Sequence, residues 1–185
     1  MPTSVENTSK VERIEQLMKA ITSLRLPMYR TLALCQEPQK AEEIEAAIAR
    51  FTHGHVSMYQ PATIFDWLQE AGALEPLDAP EGDLDAASWT TTASGRSVLE
   101  TSSPIKQLTR LIDGNPKYRD SYERMLTFCL APRSRDEIEK HFEGDPALVT
   151  PKLYPAALIG DLEEVGAIEW AEKWKTTDLA KEFLQ

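Results

Sequence analysis

The chain has 185 residues, of which 42% are hydrophobic and 27% charged, and its net charge is −10. This suits one large or two small globular domains, and no apolar run approaches the ~20 residues that a membrane-crossing helix needs. The acidic balance also disfavours a non-specific grip on phosphates, which draws most of its affinity from clustered Lys and Arg.

Residues 1–10 are polar, lack the apolar stretch of a signal peptide and read as a flexible tail, so the expected address is cytoplasmic. Val11, Ile14, Leu17, Met18 and Ile21 share one face of a helix predicted over 11–24. Pro27 is expected to open a second helix reaching about Gln36, with Leu32 and Cys35 inward, and Pro38 to break it. A third helix is predicted from Lys40 to about Arg50, with Glu42, Glu43 and Glu45 near its start. His53-Gly54-His55 lies in a loop. The stretch from Tyr59 to Glu75 then reads as a helix with Pro61 in its first turn and Gly72 just past its end, running into a strand at Leu74. An acidic loop over 76–87 leads to a strand at 88–91. A last helix covers 92–100, capped by a threonine or by Ser94, and 102–104 forms a linker.

From Ile105 the same order of elements returns. Leu153 to Glu169 repeats Tyr59 to Glu75 at an offset of 94: Pro155 matches Pro61, Leu162 matches Leu68 and Gly166 matches Gly72. The offset holds without insertion over 11–75 and also aligns Cys35 with Cys129 and Pro38 with Pro132. Beyond it the second hairpin is nine residues tighter, so Trp174 matches Trp89 and Thr176-Thr177 match Thr91-Thr92 at an offset of 85. Helix periodicity alone would align apolar residues but not prolines, glycines and cysteines, so the pattern is read as an internal duplication. Both cysteines fall on apolar helix faces and are expected as small buried hydrophobes.

Three helices, the last ending in Leu-Gln-Glu-Ala-Gly-Ala-Leu-Glu, then a hairpin, then Thr-Thr-Ala-Ser-Gly-Arg-Ser-Val-Leu: this order resembles the winged helix-turn-helix superfamily. The resemblance covers nearly the whole chain twice. It implies a mainly α fold with small β-hairpins (α+β), as two tandem winged-helix domains over 11–101 and 105–185. In that superfamily the helix matching Tyr59 to Ala71 commonly enters the major groove and the wing touches phosphates. The resemblance therefore implies a DNA-binding, transcription-regulator-like protein. The alternative is an acidic winged-helix scaffold that binds protein and not DNA, a use the same fold also serves.

On either reading the candidate contact residues are the same. Tyr59, Gln60, Thr63 and Trp67 lie on the outward face of the first copy's helix over 59–71. Arg96 lies near the first wing, Lys152 just before the matching helix of the second copy, and Lys173 and Lys175 in the second wing. These two helices are acidic, which weakens DNA as a partner: 57–71 holds Asp66 and Glu70 with no Lys or Arg. Trp67 has Asp161 as its equivalent, so the fold does not demand an aromatic there. It is expected either as a contact residue or packed against the other copy. Since the outward residues of the first copy are lost in the second, the first copy is expected to carry the contact face. His53, His55 and His141 lack a metal-site spacing, and no nucleophile and base stand in a recognisable arrangement. The chain is accordingly expected to be no enzyme and to hold neither cofactor nor metal.

Overall fold

No glycine or proline interrupts residues 3–26, and a helix runs from Ser4 to Ala20 (α1) in the computed structural model, which describes residues 4–52, 59–78 and 87–184. The helix begins seven residues ahead of the expected Val11, so residues 4–10 are not a tail. Within it the aliphatic stem of Lys10 lies 3.3 Å from where a Cβ on Gly72 would sit. Methylenes of a long cation cover the backbone at the end of another helix while the ammonium reaches water.

The next boundary also differs from expectation. α1 stops at Ala20 because Ile21 leaves helical geometry (φ −132°, ψ 85°), and α2 then runs from Thr22 to Leu34 with Pro27 inside it. Ile21 carries no breaker signature, which is why the sequence hides this turn. Redirecting the chain there buries both Leu24 and Met28. Within α2, Thr31 Oγ1 donates to the carbonyl of Pro27 at 2.9 Å.

The chain divides at Ser103/Pro104 into two compact units. In the first, a two-residue strand β1 (Gln39–Lys40) leads into α3 (Ala41–Phe51), and α4 (Pro61–Glu70) comes after it. β2 (Leu74–Leu77) and β3 (Ser88–Thr91) pair antiparallel with Pro76 opposite Trp89, and β1 adds on the far side of β3. α5 (Ala93–Thr101) closes the unit. Ile14, Leu32, Ile44, Ile64, Leu68 and Val98 meet in its core, with Trp89 laid edge-on against Phe65. The expected loop at His53-Gly54-His55 and most of the acidic loop lie outside the described residues.

The second unit opens with α6 (Pro104–Gly114), whose first residue is the proline expected in the linker. Asn115 breaks the chain as Ile21 does (φ −128°, ψ 59°), a 3₁₀ turn spans Pro116–Tyr118, and α7 (Arg119–Phe128) begins directly after it. α8 (Arg135–His141), a 3₁₀ turn at Pro146–Leu148, and α9 (Pro155–Glu164) come next. β4 (Ile168–Ala171) and β5 (Lys173–Thr176) form a hairpin, Arg133 bridges to Trp174 on the other side of β5, and α10 (Asp178–Lys181) with a 3₁₀ turn at Glu182–Leu184 comes last. The protein is thus mainly helical with small antiparallel sheets.

The bonds that fix each hairpin to its helices recur in both units. Thr91 donates its N–H to the carbonyl of Cys35 (2.8 Å) and its hydroxyl to that of Leu32 (2.7 Å); Thr176 does the same to Cys129 (2.8 Å) and Leu126 (2.7 Å). Thr92 gives its hydroxyl to Gly72 O and accepts from Gly95 N, while Thr177 serves Gly166 O and Ala180 N in the same way. Gly72 and Gly166 have φ of 77° and 72°, the left-handed stop that lets Ala73 and Ala167 bond back to Leu68 and Leu162. Each threonine pair thereby satisfies carbonyls that a helix end would leave open.

Candidate functional site

The start of α4 carries the first group of candidate residues. Gln60 precedes the helix in extended geometry (φ −72°, ψ 149°), and Pro61 occupies the first turn, where a missing N–H costs nothing. Tyr59 and Gln60 are exposed, Thr63 half-buried. Trp67 is not on an outward face: it is half-buried, packs against the core of its own unit, and meets the Tyr59 ring edge-on at 4.8 Å. At three residues past the buried Ile64 it sits beside the apolar stripe, and an indole is wide enough to fold over onto it. The structure therefore joins Tyr59 and Trp67 into one aromatic pair. Arg96 is held elsewhere, its Nη1 donating to Thr91 O at 2.5 Å at the corner between β3 and α5.

The equivalent place in the second unit is built differently. Asp161, at the position of Trp67, accepts a 2.6 Å hydrogen bond from the hydroxyl of Tyr122, which stands where the first unit has Met28. Burial and this carboxylate push the Tyr122 phenol above its usual range. Tyr154, at the position of Gln60, is 61% exposed, and nearby Val149 is 62% exposed. Lys152 lies with its ammonium 4.9 Å from the Tyr154 ring centroid, and that residue raises its pKa. Tyr154 also lines an open depression of about 560 Å³ together with Pro155, Arg135 and Glu139. Sequence reasoning marked Lys152 but passed over Tyr154 and Val149. The signal available for Tyr154 was its place immediately before the proline that starts α9; Val149, at the end of a 3₁₀ turn, had none.

Charge around this face is largely neutralised from within. Arg135 pairs with Glu139 at 2.8 Å and Arg133 with Glu137 at 3.5 Å. Lys173, one of the expected wing contacts, reaches the same Glu137 at 3.6 Å, and Lys175 stands opposite Glu169 in the hairpin. Glu137 also forms the far half of a capping box, accepting the Ser134 N–H at 2.7 Å while Ser134 Oγ accepts from Glu137 N. Those bonds, foremost the one from the Ser134 backbone, hold its carboxyl at about 2.

The remaining reactive residues are packing groups. Cys35 and Cys129 are fully buried free thiols, and desolvation raises their pKa values to about 12 and about 11. His141 is exposed at its edge and stacks on Phe128 with the ring planes 5° apart and centroids at 3.9 Å. Desolvation, then Arg124 and Arg133, lower its pKa. Among the described residues no three His, Cys, Asp or Glu side chains converge as a metal site would require, and no helix is long and apolar enough to cross a membrane.

Compared with family models, with curated proteins and with solved structures, the chain matches none.

Proposed function

We propose that the chain is a non-enzymatic scaffold of two tandem winged-helix units whose partner is a protein. The observation that carries this reading is the exposure of Tyr154, 61% open to solvent immediately before α9, the element that would serve as the contact helix, with Val149, 62% exposed, at the end of the 3₁₀ turn that precedes it. Large exposed apolar side chains beside a shallow depression are typical of protein-contact surfaces, where Tyr is a frequent anchor. Electrostatics point the same way. α4 carries Asp66 and Glu70 and no cation, and near α9 Arg135 is paired with Glu139 while Arg133 and Lys173 share Glu137. Releasing counterions from a duplex needs several cations not already matched, and these pairings leave one of the three. In this reading Tyr59 with Trp67 offers a second, smaller aromatic surface in the first unit.

A mobility shift on random duplex tests the choice between partners. At about 10 µM protein and about 20 mM salt no shift is expected, although non-specific affinities of ordinary DNA-binding domains would be saturating there. A retarded band lost in Lys152→Gln or Lys175→Gln would overturn the reading and restore a DNA-binding regulator, with those lysines and Tyr154 as its contacts. Cross-linking of the purified chain into cell extract, compared between the native chain and Tyr154→Ala, supplies the complementary measurement. The band expected for a partner is one that Tyr154→Ala abolishes.

A further inference from the structure

An open groove of about 830 Å³ lies along α7 in the second unit, away from Tyr154, and its walls are charged with opposite sign at the two ends. Asp120 and Glu123 line it at the first turn of α7, Thr127, Phe128 and Leu130 form its floor, and Arg133 stands at the far end. Asp120, Glu123 and Thr127 fall at helical i, i+3 and i+7 along one stripe of α7, and Leu130 and Arg133 lie beyond its end. From Asp120 to Phe128, under the Arg133 guanidinium, is eight residues, about 12 Å along the axis.

The basic end is held in place. Arg133 lies 4.3 Å over the Phe128 ring, its Nε donates to Phe128 O at 3.1 Å, and Phe128 is backed by the stacked His141. Its counter-charge is shared, because Glu137 answers both Arg133 and Lys173 and is bonded to the Ser134 backbone. Two cations thus face one carboxylate. Arg124, also in the wall, is turned to the buried Asp145 at 3.0 Å and stacks over Phe142 at 4.8 Å, so it contributes little free charge. At the acidic end, Glu123 has only a 3.6 Å pairing with exposed Arg119, and Asp120 forms no ion pair among the described residues. Leu130 is 44% exposed on the floor between them.

The fold does not require this polarity. At an offset of 94 the first unit has Leu26 for Asp120, Tyr29 for Glu123, Gln36 for Leu130 and Gln39 for Arg133. We propose that the groove along α7 binds an extended segment of a protein partner that carries a cation and a carboxylate on either side of an apolar residue. In an extended chain, residues i, i+2 and i+4 point to one side and span about 13 Å. A Lys-x-Leu-x-Glu segment therefore sets its ammonium on Asp120 and Glu123, its leucine on Leu130 and the edge of Phe128, and its carboxylate on Arg133. The proposal rests on the protein-binding reading above and names the chemistry of the partner.

The test is titration of the ¹⁵N-labelled full chain with soluble peptides built on Lys-Ser-Leu-Ser-Glu, read at the amides of Thr127, Phe128 and Leu130. Comparator cores are Lys-Ser-Leu-Ser-Lys, Glu-Ser-Leu-Ser-Glu and Lys-Ser-Ser-Ser-Glu. Saturable shifts are expected, with the first core tighter than each comparator by about 5-fold, the value of one exposed ion pair or a partly buried leucine. Arg133→Gln should remove the preference for Glu over Lys at the last position while the amide spectrum elsewhere stays unchanged. No saturable shift at about 5 mM, where even millimolar affinity would register, overturns the proposal. So does equal binding of the all-acidic core, which would make the groove a plain anion site. The peptide titration is read at α7 amides and the duplex assay at any cationic surface, so absent peptide shifts without a retarded band fail the groove alone, whereas a retarded band fails the protein-binding reading.

Discussion

Arg30 and Arg124 are the same residue in the two units and do different things. Arg30 lies 6.0 Å over the ring of Phe51. Arg124 donates at 3.0 Å to Asp145, which stands in the place of Phe51 and also accepts from Ser121 Oγ at 3.2 Å and Ala147 N at 2.9 Å. Similar swaps recur nearby: Trp67 with Met28 in one unit becomes Asp161 with Tyr122 in the other, and Ala47 becomes His141. The hairpin bonds by contrast are kept to within 0.1 Å at the Thr91/Thr176 backbone and hydroxyl. Backbone satisfaction is held constant while the layer around it changes from apolar to polar. The second unit has buried hydrogen bonds where the first has dispersion contacts, and a polar layer of that kind is more costly to leave half-made.

The largest effect is expected at position 145, where the two layers differ most. Asp145→Ala strands the Ser121 hydroxyl, the Ala147 N–H and one face of Arg124, and should cost about 2–4 kcal/mol in chemical denaturation. Most of that comes from buried groups left unpaired, discounted because Arg124 is itself nearly half exposed. Phe51→Ala removes a distant cation–π contact from a half-buried ring and should cost less, on the order of 1–2 kcal/mol. Equal losses would mean that the polar layer is no more demanding than the apolar one.

Much of what the two units share is legible in the sequence. The threonine pairs, the glycine stops and the prolines at the starts of α4 and α9 align across the repeat because each is a backbone solution with few substitutes. What could not be read were features made by side chains of the wrong chemical class for their job. Ile21 turns the chain although nothing in isoleucine predicts a turn. Lys10 covers Gly72 with its methylenes although it reads as a tail cation. Trp67 reads as outward on a helical wheel because the wheel ignores the size of an indole. The groove along α7 draws on Arg133, from beyond the helix, and on the His141 support of Phe128. Its one sequence trace was divergence at 26/120, 29/123, 36/130 and 39/133, which gains meaning only once those residues share a wall.

A middle-sized effect is expected at Gly95. A Cβ there would lie 2.6 Å from Ala73 O and 2.7 Å from Thr91 Cγ2, and the first of these is backbone that cannot swing aside. The second unit has Ala180 at the same point, fully buried, with its N–H slightly farther from the capping threonine (3.3 against 3.0 Å). Gly95→Ala should therefore cost about 1–3 kcal/mol, as overpacking does, and Ala180→Gly only about 1 kcal/mol through chain entropy. A neutral Gly95→Ala would show that α5 can shift outward as α10 has, and would erase this difference between the units.

The smallest effect concerns the two capping boxes. In the first unit Glu43 accepts the Lys40 N–H at 3.0 Å, but a lysine side chain has no acceptor to return the bond. In the second, Ser134 and Glu137 bond to each other's backbone N–H, and this holds Glu137 at about 2, below its ordinary 4.5. A carboxyl whose folded pKa is depressed stabilises the fold fully above its unfolded pKa and loses that contribution as pH falls toward the folded one. The loss attributable to Glu137 should thus appear between about pH 5 and pH 2. The side chain is 41% exposed, so solvent screening keeps the effect modest. Melting curves across that window should fall less steeply for Glu137→Gln than for the native chain, since glutamine does not titrate, with the two curves converging near pH 2. Ser134→Ala should flatten the curve in the same sense by removing the hydroxyl half of the box, whereas Lys40→Ala should leave the pH slope unchanged. A Glu137→Gln slope identical to the native one would place the acid sensitivity of the chain on other carboxylates and leave the reciprocal box without a measurable advantage over the half-box of the first unit.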